Sequence, residues 1–259
     1  MDLGLAGRVA LVTGGSRGIG RATAHVFARE GMRIAIAARG AERLAATAAE
    51  LTALGAEVLA IQADFGRPSE AARAVDETAA RFGGLDVLVA NAGGSVGERD
   101  LALSTDEDFD ATFRFNVGHA IAATRAAVPH LEASGQGSAI FVASISGRAP
   151  STRGAQYAAA KAGLIMAAKN LSWELGPQRI RVNAVSPGSL LFPGGGWERI
   201  RAERPEDFAK FEREDFPWGR LGTDTELADV IAFVASPRAG WVNGTDIQVD
   251  GGQRRPSIR

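Results

Sequence analysis

The chain has 259 residues, 46% hydrophobic and 23% charged, with a formal net charge of −1 and a sequence pI near 6.3. These values exclude a disordered chain or a coiled coil, and a near-neutral surface gives no electrostatic reason to expect nucleic acid or an anionic membrane as partner. Arg254, Arg255 and Arg259 form a small basic tail that reads as solvated. With no cysteine there is no disulfide framework and no thiolate nucleophile, and His25, His119 and His130 are too scattered for a metal site, so no metal is expected and each histidine reads as an ordinary surface or core residue.

Short β-branched runs alternate with alanine-rich helical patterns from the start. The opening MDLGLAGRVALVTGG has Asp2 before any basic residue and Arg8 inside the apolar run, so it reads as a first strand, Val9–Thr13, rather than a secretory leader. No apolar stretch reaches the length needed to span a bilayer, and the cytoplasm is the expected location. A helix is expected at 18–30, a strand at 34–38, a helix at 42–54, a strand at 58–61, a helix at 69–82 and a strand at 85–90. A long helix at 105–133 follows, then strand 139–143, helix 155–175 closed by Gly176-Pro177, strand 180–185, helix 226–235 and strand 247–249. Strand, helix, strand at this rhythm predicts right-handed crossovers and one doubly wound parallel sheet of about seven strands with helices on both faces, a Rossmann-type α/β domain over 1–259. The stretch 186–222 breaks the rhythm with Gly194-Gly195-Gly196, then charges mixed with Trp197, Phe208, Phe211, Phe216 and Trp218. It is expected to be a substrate-binding loop or lid.

The first strand runs into Thr13-Gly14-Gly15-Ser16-Arg17-Gly18-Ile19-Gly20. The spacing G-x-x-x-G-x-G lets the backbone turn tightly and brings a helix N-terminus, with its free N–H groups and dipole, against a pyrophosphate. Gly14, Ser16, Arg17, Gly18, Ile19 and Gly20 are therefore candidate nucleotide-binding residues. A plain glycine-rich turn is the alternative, and the position after the first strand of a βαβ unit favours binding. A phosphate-binding loop of the NTPase kind is excluded, because Arg21-Ala22 stands where Lys and Ser or Thr are required. The second strand ends Ala37-Ala38-Arg39-Gly40, with no acid before Glu42 to hold a ribose 2′-hydroxyl. A guanidinium there suits a 2′-phosphate, gripped by Arg39 with help from Arg17, so NADP(H) is the preferred cofactor and NAD(H) stays open.

Tyr157, the only tyrosine, precedes Lys161 by four residues and follows Ser144 by thirteen. On a helix the phenol and the ammonium share one face. A phenol with a pKa of about 10 is a poor acid or base at neutral pH until a neighbouring cation stabilises the phenolate, and Lys161 is placed to do that. Taken alone, Tyr-x-x-x-Lys recurs by chance on many helices.

Taken together, the glycine loop, Asn91-Ala92-Gly93 after the fourth strand, Asn116, Ser144, Tyr157-x-x-x-Lys161, Pro187-Gly188 and Asp250-Gly251-Gly252 resemble the short-chain dehydrogenase/reductase family over essentially the whole chain. The resemblance implies that Tyr157 is the acid/base, that Lys161 lowers its pKa and binds the nicotinamide ribose, and that Ser144 holds the substrate oxygen. It further implies that Asn116 holds a water behind Lys161, that Asp64 and Phe65 meet the adenine, and that Asn91, Ala92, Gly93, Pro187 and Gly188 line the cofactor cleft. Members often carry a threonine shortly after Pro-Gly; here the chain reads Pro187-Gly188-Ser189-Leu190, so the carboxamide contact is expected from Ser189 or from backbone groups. The activity implied is NADP(H)-dependent interconversion of a small-molecule ketone and a secondary alcohol, as in 3-oxoacyl reductases and other ketoreductases. An NAD-dependent alcohol or sugar dehydrogenase is the rival among enzymes, and a nucleotide-sensing regulator without catalysis is the rival outside them. The resemblance also implies a homo-oligomer, a dimer or homotetramer, and the small residues Ala158, Ala159, Ala160, Ala162 and Gly163 permit close helix packing there or against the chain's own sheet.

Overall fold

All five residues of β1 (Val9–Thr13) are buried, which is why this strand reads as a continuous apolar run instead of an alternating one: both faces of the sheet are covered. The structure is a computed structural model describing residues 1–256 and 258; Arg259 of the basic tail lies outside the described residues. Six further strands follow, β2 (Arg33–Ala38), β3 (Val58–Gln62), β4 (Val87–Ala90), β5 (Ser138–Val142), β6 (Arg181–Pro187) and β7 (Asp246–Val249). They form one parallel sheet in the order β3-β2-β1-β4-β5-β6-β7. Val9 and Leu11 of β1 point into a core with Phe65, Phe82, Phe141 and Leu164, whereas Ala10 and Val12 point into the opposite core with Phe27, Leu51, Leu227 and Ile231. The period-2 alternation of a strand thus feeds two hydrophobic layers at once.

The first layer is covered by α3 (Pro68–Phe82), α5 (His119–Ala133) and α6 (Ala155–Glu174), the second by α1 (Gly18–Arg29), α2 (Ala41–Ala53) and α9 (Asp224–Ala235). Thr223 caps α9 through a reciprocal box with Glu226, and Thr105 caps α4 (Asp106–Phe113) in the same way with Asp108. Among the described residues no helix is long and apolar enough to cross a membrane.

Two expectations change in the structure. The helix foreseen at 105–133 is interrupted by a π-helical turn, residues 114–118, between α4 and α5, and that turn carries Asn116. The stretch 186–222 contains two helices, α7 (Gly196–Glu203) and α8 (Pro205–Asp215), that its alternating charges concealed. They pack around Phe208, Phe211, Phe216 and Leu221, with Trp197 stacked on Phe211 at 4.8 Å between ring centroids. Because β1 leads outward to β2 on one side and β4 begins the run to β7 on the other, the sheet has its switch point between β1 and β4. A crevice opens beyond the carboxyl ends of the strands there.

Candidate active site

At the switch point the loop after β1 turns on Gly14 (φ +68°) and Gly18 (φ +50°), both in the left-handed region. A Cβ on Gly20 would lie 2.6 Å from Asn91 Nδ2 and closer still to the Gly14 carbonyl oxygen, so only glycine lets α1 approach the loop this closely. Arg17, at the N-cap of α1, makes no side-chain cap, which leaves the first amides of the helix available to an anion.

The loop is fastened to the end of β4. Thr13 Oγ1 accepts from the backbone N–H groups of Asn91 (2.9 Å) and Ala92 (3.0 Å), and Asn91 Nδ2 donates to the carbonyls of Thr13 (2.8 Å) and Gly14 (3.3 Å). His119 completes this stitch. Its Nδ1 lies 2.7 Å from the Phe115 carbonyl, which can only accept, so Nδ1 carries the proton and Nε2 faces Thr13 Oγ1 at 3.3 Å. Burial pushes its pKa down to about 4, keeping the ring neutral. His119 is therefore a fastening of the nucleotide loop; neither it nor Thr13 was singled out for such a role by spacing.

Asn116 is fully buried and its amide is spent on backbone: Nδ2 donates to the carbonyls of Gly94 (2.7 Å) and Thr112 (2.8 Å), and Oδ1 accepts from Gly94 N–H (3.1 Å). The π turn, a feature frequent at functional sites, brings this side chain against Gly93. A Cβ on Gly93 would lie 2.5 Å from Asn116 Oδ1 and 3.0 Å from Lys161 Nζ, so the three residues form one contact group.

Ser144, Tyr157 and Lys161 meet across β5 and α6. Lys161 is 3% exposed, donates to the Val142 carbonyl at 2.7 Å, and has its Nζ 5.6 Å from the centroid of the Tyr157 ring. Burial lowers its pKa from 10.5 to about 7. Ser144 lies just beyond β5, at the N-cap of a short 3-10 turn, and its Oγ accepts from Ser146 N–H at 3.1 Å. For Tyr157, burial is the largest influence and raises the phenol above its ordinary value, opposed by the Ser144 hydroxyl and the Arg99 charge. Arg99, which the sequence did not single out, adds a positive charge near the phenol, while Lys161, expected to depress the phenol's pKa, is itself desolvated and held by the Val142 carbonyl.

Two cavities share these residues. A cleft of about 580 Å³ is lined by Gly14, Ser16, Arg17, Gly18, Ile19, Arg39, Phe65, Asn91, Ala92, Gly93, Tyr157, Lys161 and Pro187. A second cavity of about 870 Å³ is lined by Ser144, Tyr157, Gly188 and Ser189, beneath Leu190, Phe192, Trp197 and Ile200. Tyr157, Ile19, Pro187 and Phe192 belong to both. Gly20 and Asn116 line neither and act from behind. Asp64 also lines neither: its carboxylate accepts from Gly66 N–H at 3.1 Å, while Phe65 forms the wall. Ser189 faces the second cavity, and both its backbone N–H (2.6 Å) and its Oγ (2.9 Å) are engaged with the Gln253 side-chain amide. Arg17, Arg39 and Arg43 stand at one end of the cleft and none of them pairs with a carboxylate among the described residues. Arg39 instead lies over the Phe115 ring at 5.9 Å. Residues that sequence reasoning missed are Arg43, Arg99, Phe115, Val142 and Phe192; the Phe192 ring sits where a Cβ on Gly18 would touch it at 2.8 Å, so it roofs the glycine loop.

An anion-binding glycine loop on one wall and a hydroxyl, a phenol and an amine on the other are the plan of a nicotinamide-dependent oxidoreductase. Residues 14–254 match the family model described as enoyl-(acyl carrier protein) reductase, and this chain belongs to the short-chain dehydrogenase/reductase family. It is 38% identical over 252 residues to an uncharacterised oxidoreductase of Mycobacterium tuberculosis, covering 97% of this chain and 94% of that one. Among solved structures, a short-chain dehydrogenase of Burkholderia cenocepacia in complex with NADP is 39% identical with a TM-score of 0.86, over 96% of this chain and 98% of that one. L-sorbose reductase of Gluconobacter frateurii, complexed with NADPH and L-sorbose, is 34% identical with a TM-score of 0.91, over 98% of both chains.

Proposed function

We propose that this protein interconverts a ketone and a secondary alcohol with NADP(H), using Tyr157 as the proton donor or acceptor. The observation that carries the reading is that Tyr157 belongs at once to the nucleotide cleft, with Lys161, and to the neighbouring cavity, with Ser144. A carbonyl becoming an alkoxide needs a hydrogen-bond donor and a proton at the same oxygen. Ser144 supplies the first and Tyr157 the second. Lys161, held by the Val142 carbonyl and titrating near 7, orients the ribose side of the cleft and can take up or return a proton behind Tyr157. Asn116 fixes Gly93-Gly94 and so the floor of the same cleft.

NADP(H), when bound, supplies the hydride. The glycine loop and the uncapped start of α1 fit its pyrophosphate, and the three guanidinium groups of Arg17, Arg39 and Arg43 fit a 2′-phosphate better than a bare ribose. The relatives complexed with NADP and NADPH agree with that choice. Within this reading the chain is one catalytic domain over 1–259, residues 186–222 are its lid, and the protein works in the cytoplasm. Assembly as a dimer or tetramer is supported by Trp173, 87% exposed on α6, and Trp241, fully exposed.

A panel of ketones, ketoses and polyols assayed with both nicotinamides tests the reading. NADPH-dependent turnover is expected for part of the panel, and Tyr157→Phe should lower kcat by about 100-fold or more while changing NADPH affinity far less. Nucleotide binding with no turnover across the panel would favour a sensor instead.

A further inference from the structure

The basic tail reads in sequence as solvated, and for Arg255 the structure overturns that. The Arg255 guanidinium grips Asp215 in bidentate fashion, Nε to Oδ1 and Nη2 to Oδ2, both at 2.6 Å, and the Asp215 side chain is 1% exposed. Arg254 N–H donates to the Asp215 carbonyl at 3.0 Å, so backbone and side chain close on the last residue of α8 together. Two residues earlier the chain is pinned again: Gln253, 6% exposed, holds the backbone N–H and hydroxyl of Ser189. Beyond Arg255, Pro256 and Ile258 line the second cavity, and Ile258 packs on the aromatic cluster of the lid.

Elsewhere the described lid residues are fastened mainly at the neck. There Leu190 bridges Gly222, Leu191 N–H donates to the Gly222 carbonyl at 2.8 Å, Gly222 N–H donates to the Ser189 carbonyl at 3.2 Å, and Arg220 grips Glu226 of α9 through both carboxylate oxygens at 3.0 and 2.6 Å. The lid's two helices pack chiefly on each other through Trp197, Phe208 and Phe211. A carboxylate taken out of water is costly unless its partner is present and well aligned, so Asp215 stays buried only while Arg255 is seated. Burial of α8 and seating of the C-terminal strap are therefore one event.

We propose that the Arg255–Asp215 pair is a latch joining the C-terminal strap to α8, so that strap and lid close the substrate cavity as a unit and this pair, which touches no reacting atom, sets substrate fit. Its bearing on turnover rests on the ketoreductase reading above. Both residues are positioning residues. Their signature is an altered ketone KM and size preference with an unaltered hydride step.

The test uses the full chain as wild type, Arg255→Lys, Arg255→Met and the double variant Asp215→Asn with Arg255→Met. Arg255→Met should raise the ketone KM about tenfold and relax the preference between a compact and a bulky ketone, with kcat and NADPH affinity within about twofold. Arg255→Lys, which keeps the charge but not the fork, should fall between. The double variant leaves no unpaired buried charge and so retains the fold; wild-type ketone KM and preference in it would reject the latch. Hydrogen exchange of the α7 and α8 amides reads the latch without turnover, and about tenfold faster exchange is expected in Arg255→Met. Unchanged exchange overturns the latch even in an active enzyme, whereas faster exchange in a protein that reduces nothing overturns only the proposed reaction.

Discussion

Lys161→Met isolates the most unusual electrostatic feature of the chain. The ammonium is desolvated in the folded protein, and its pKa falls from 10.5 to about 7, a difference corresponding to about 5 kcal/mol. Between those two values the unfolded chain holds the proton and the folded chain does not, so stability rises with pH through that window and is lost as the solution is acidified toward 7 and below. Proton linkage then gives about 3 kcal/mol less stability at about pH 6 than at about pH 9 from this one side chain. In a protein of this size that is roughly 5–10 °C of melting temperature. Methionine carries no proton, so the wild-type penalty on acidification is absent from the variant. Loss of the 2.7 Å bond to the Val142 carbonyl lowers the variant's stability by an amount that does not depend on pH. Melting both proteins without nucleotide across that range should show the variant gaining on the wild type as pH falls. A constant gap at both ends would refute the claim that burial, and not a neighbouring charge, governs this amine.

Two further outcomes are expected. Gly20→Ala places a methyl against the Gly14 carbonyl and 2.6 Å from Asn91 Nδ2, both held by the Thr13 stitch. It should cost about 1–3 kcal/mol of stability and weaken NADPH binding; calorimetry showing neither change would mean that α1 can shift away freely. Arg39→Ala should raise the KM for NADPH about tenfold while that for NADH changes little, because the lost guanidinium meets only the 2′-phosphate. An equal effect on both nucleotides would assign Arg39 to the adenine or to packing on Phe115.

Legibility followed the range of the forces involved. β1 falls on the residues expected, Val9 to Thr13, because a strand buried on both faces announces itself by an unbroken apolar run. The nucleotide loop was legible because steric exclusion of a Cβ selects glycine residue by residue. Where a short-range pattern was ambiguous, edges moved: β4 begins at Val87 and not at 85, and α7 and α8 were hidden by charges that serve solvent on one face and a small aromatic core on the other. The break at Asn116 was invisible for another reason. A π turn is stabilised by what it reaches, here Gly94 and Thr112, and not by its own residue types.

By itself the sequence determined the parallel doubly wound sheet and the place of the glycine-rich loop, since these depend on local conformation, while the family resemblance singled out Asn116, Ser144, Tyr157 and Lys161 as candidates. Only the tertiary structure decided that Arg99 stands near the phenol, that burial lowers the pKa of Lys161, that His119 fastens the glycine loop, and that Arg255 is paired with the buried Asp215. Those properties depend on dielectric surroundings and on distances between residues far apart in the chain, Asp215 and Arg255 or Thr13 and His119, and such distances exist only once the chain is packed.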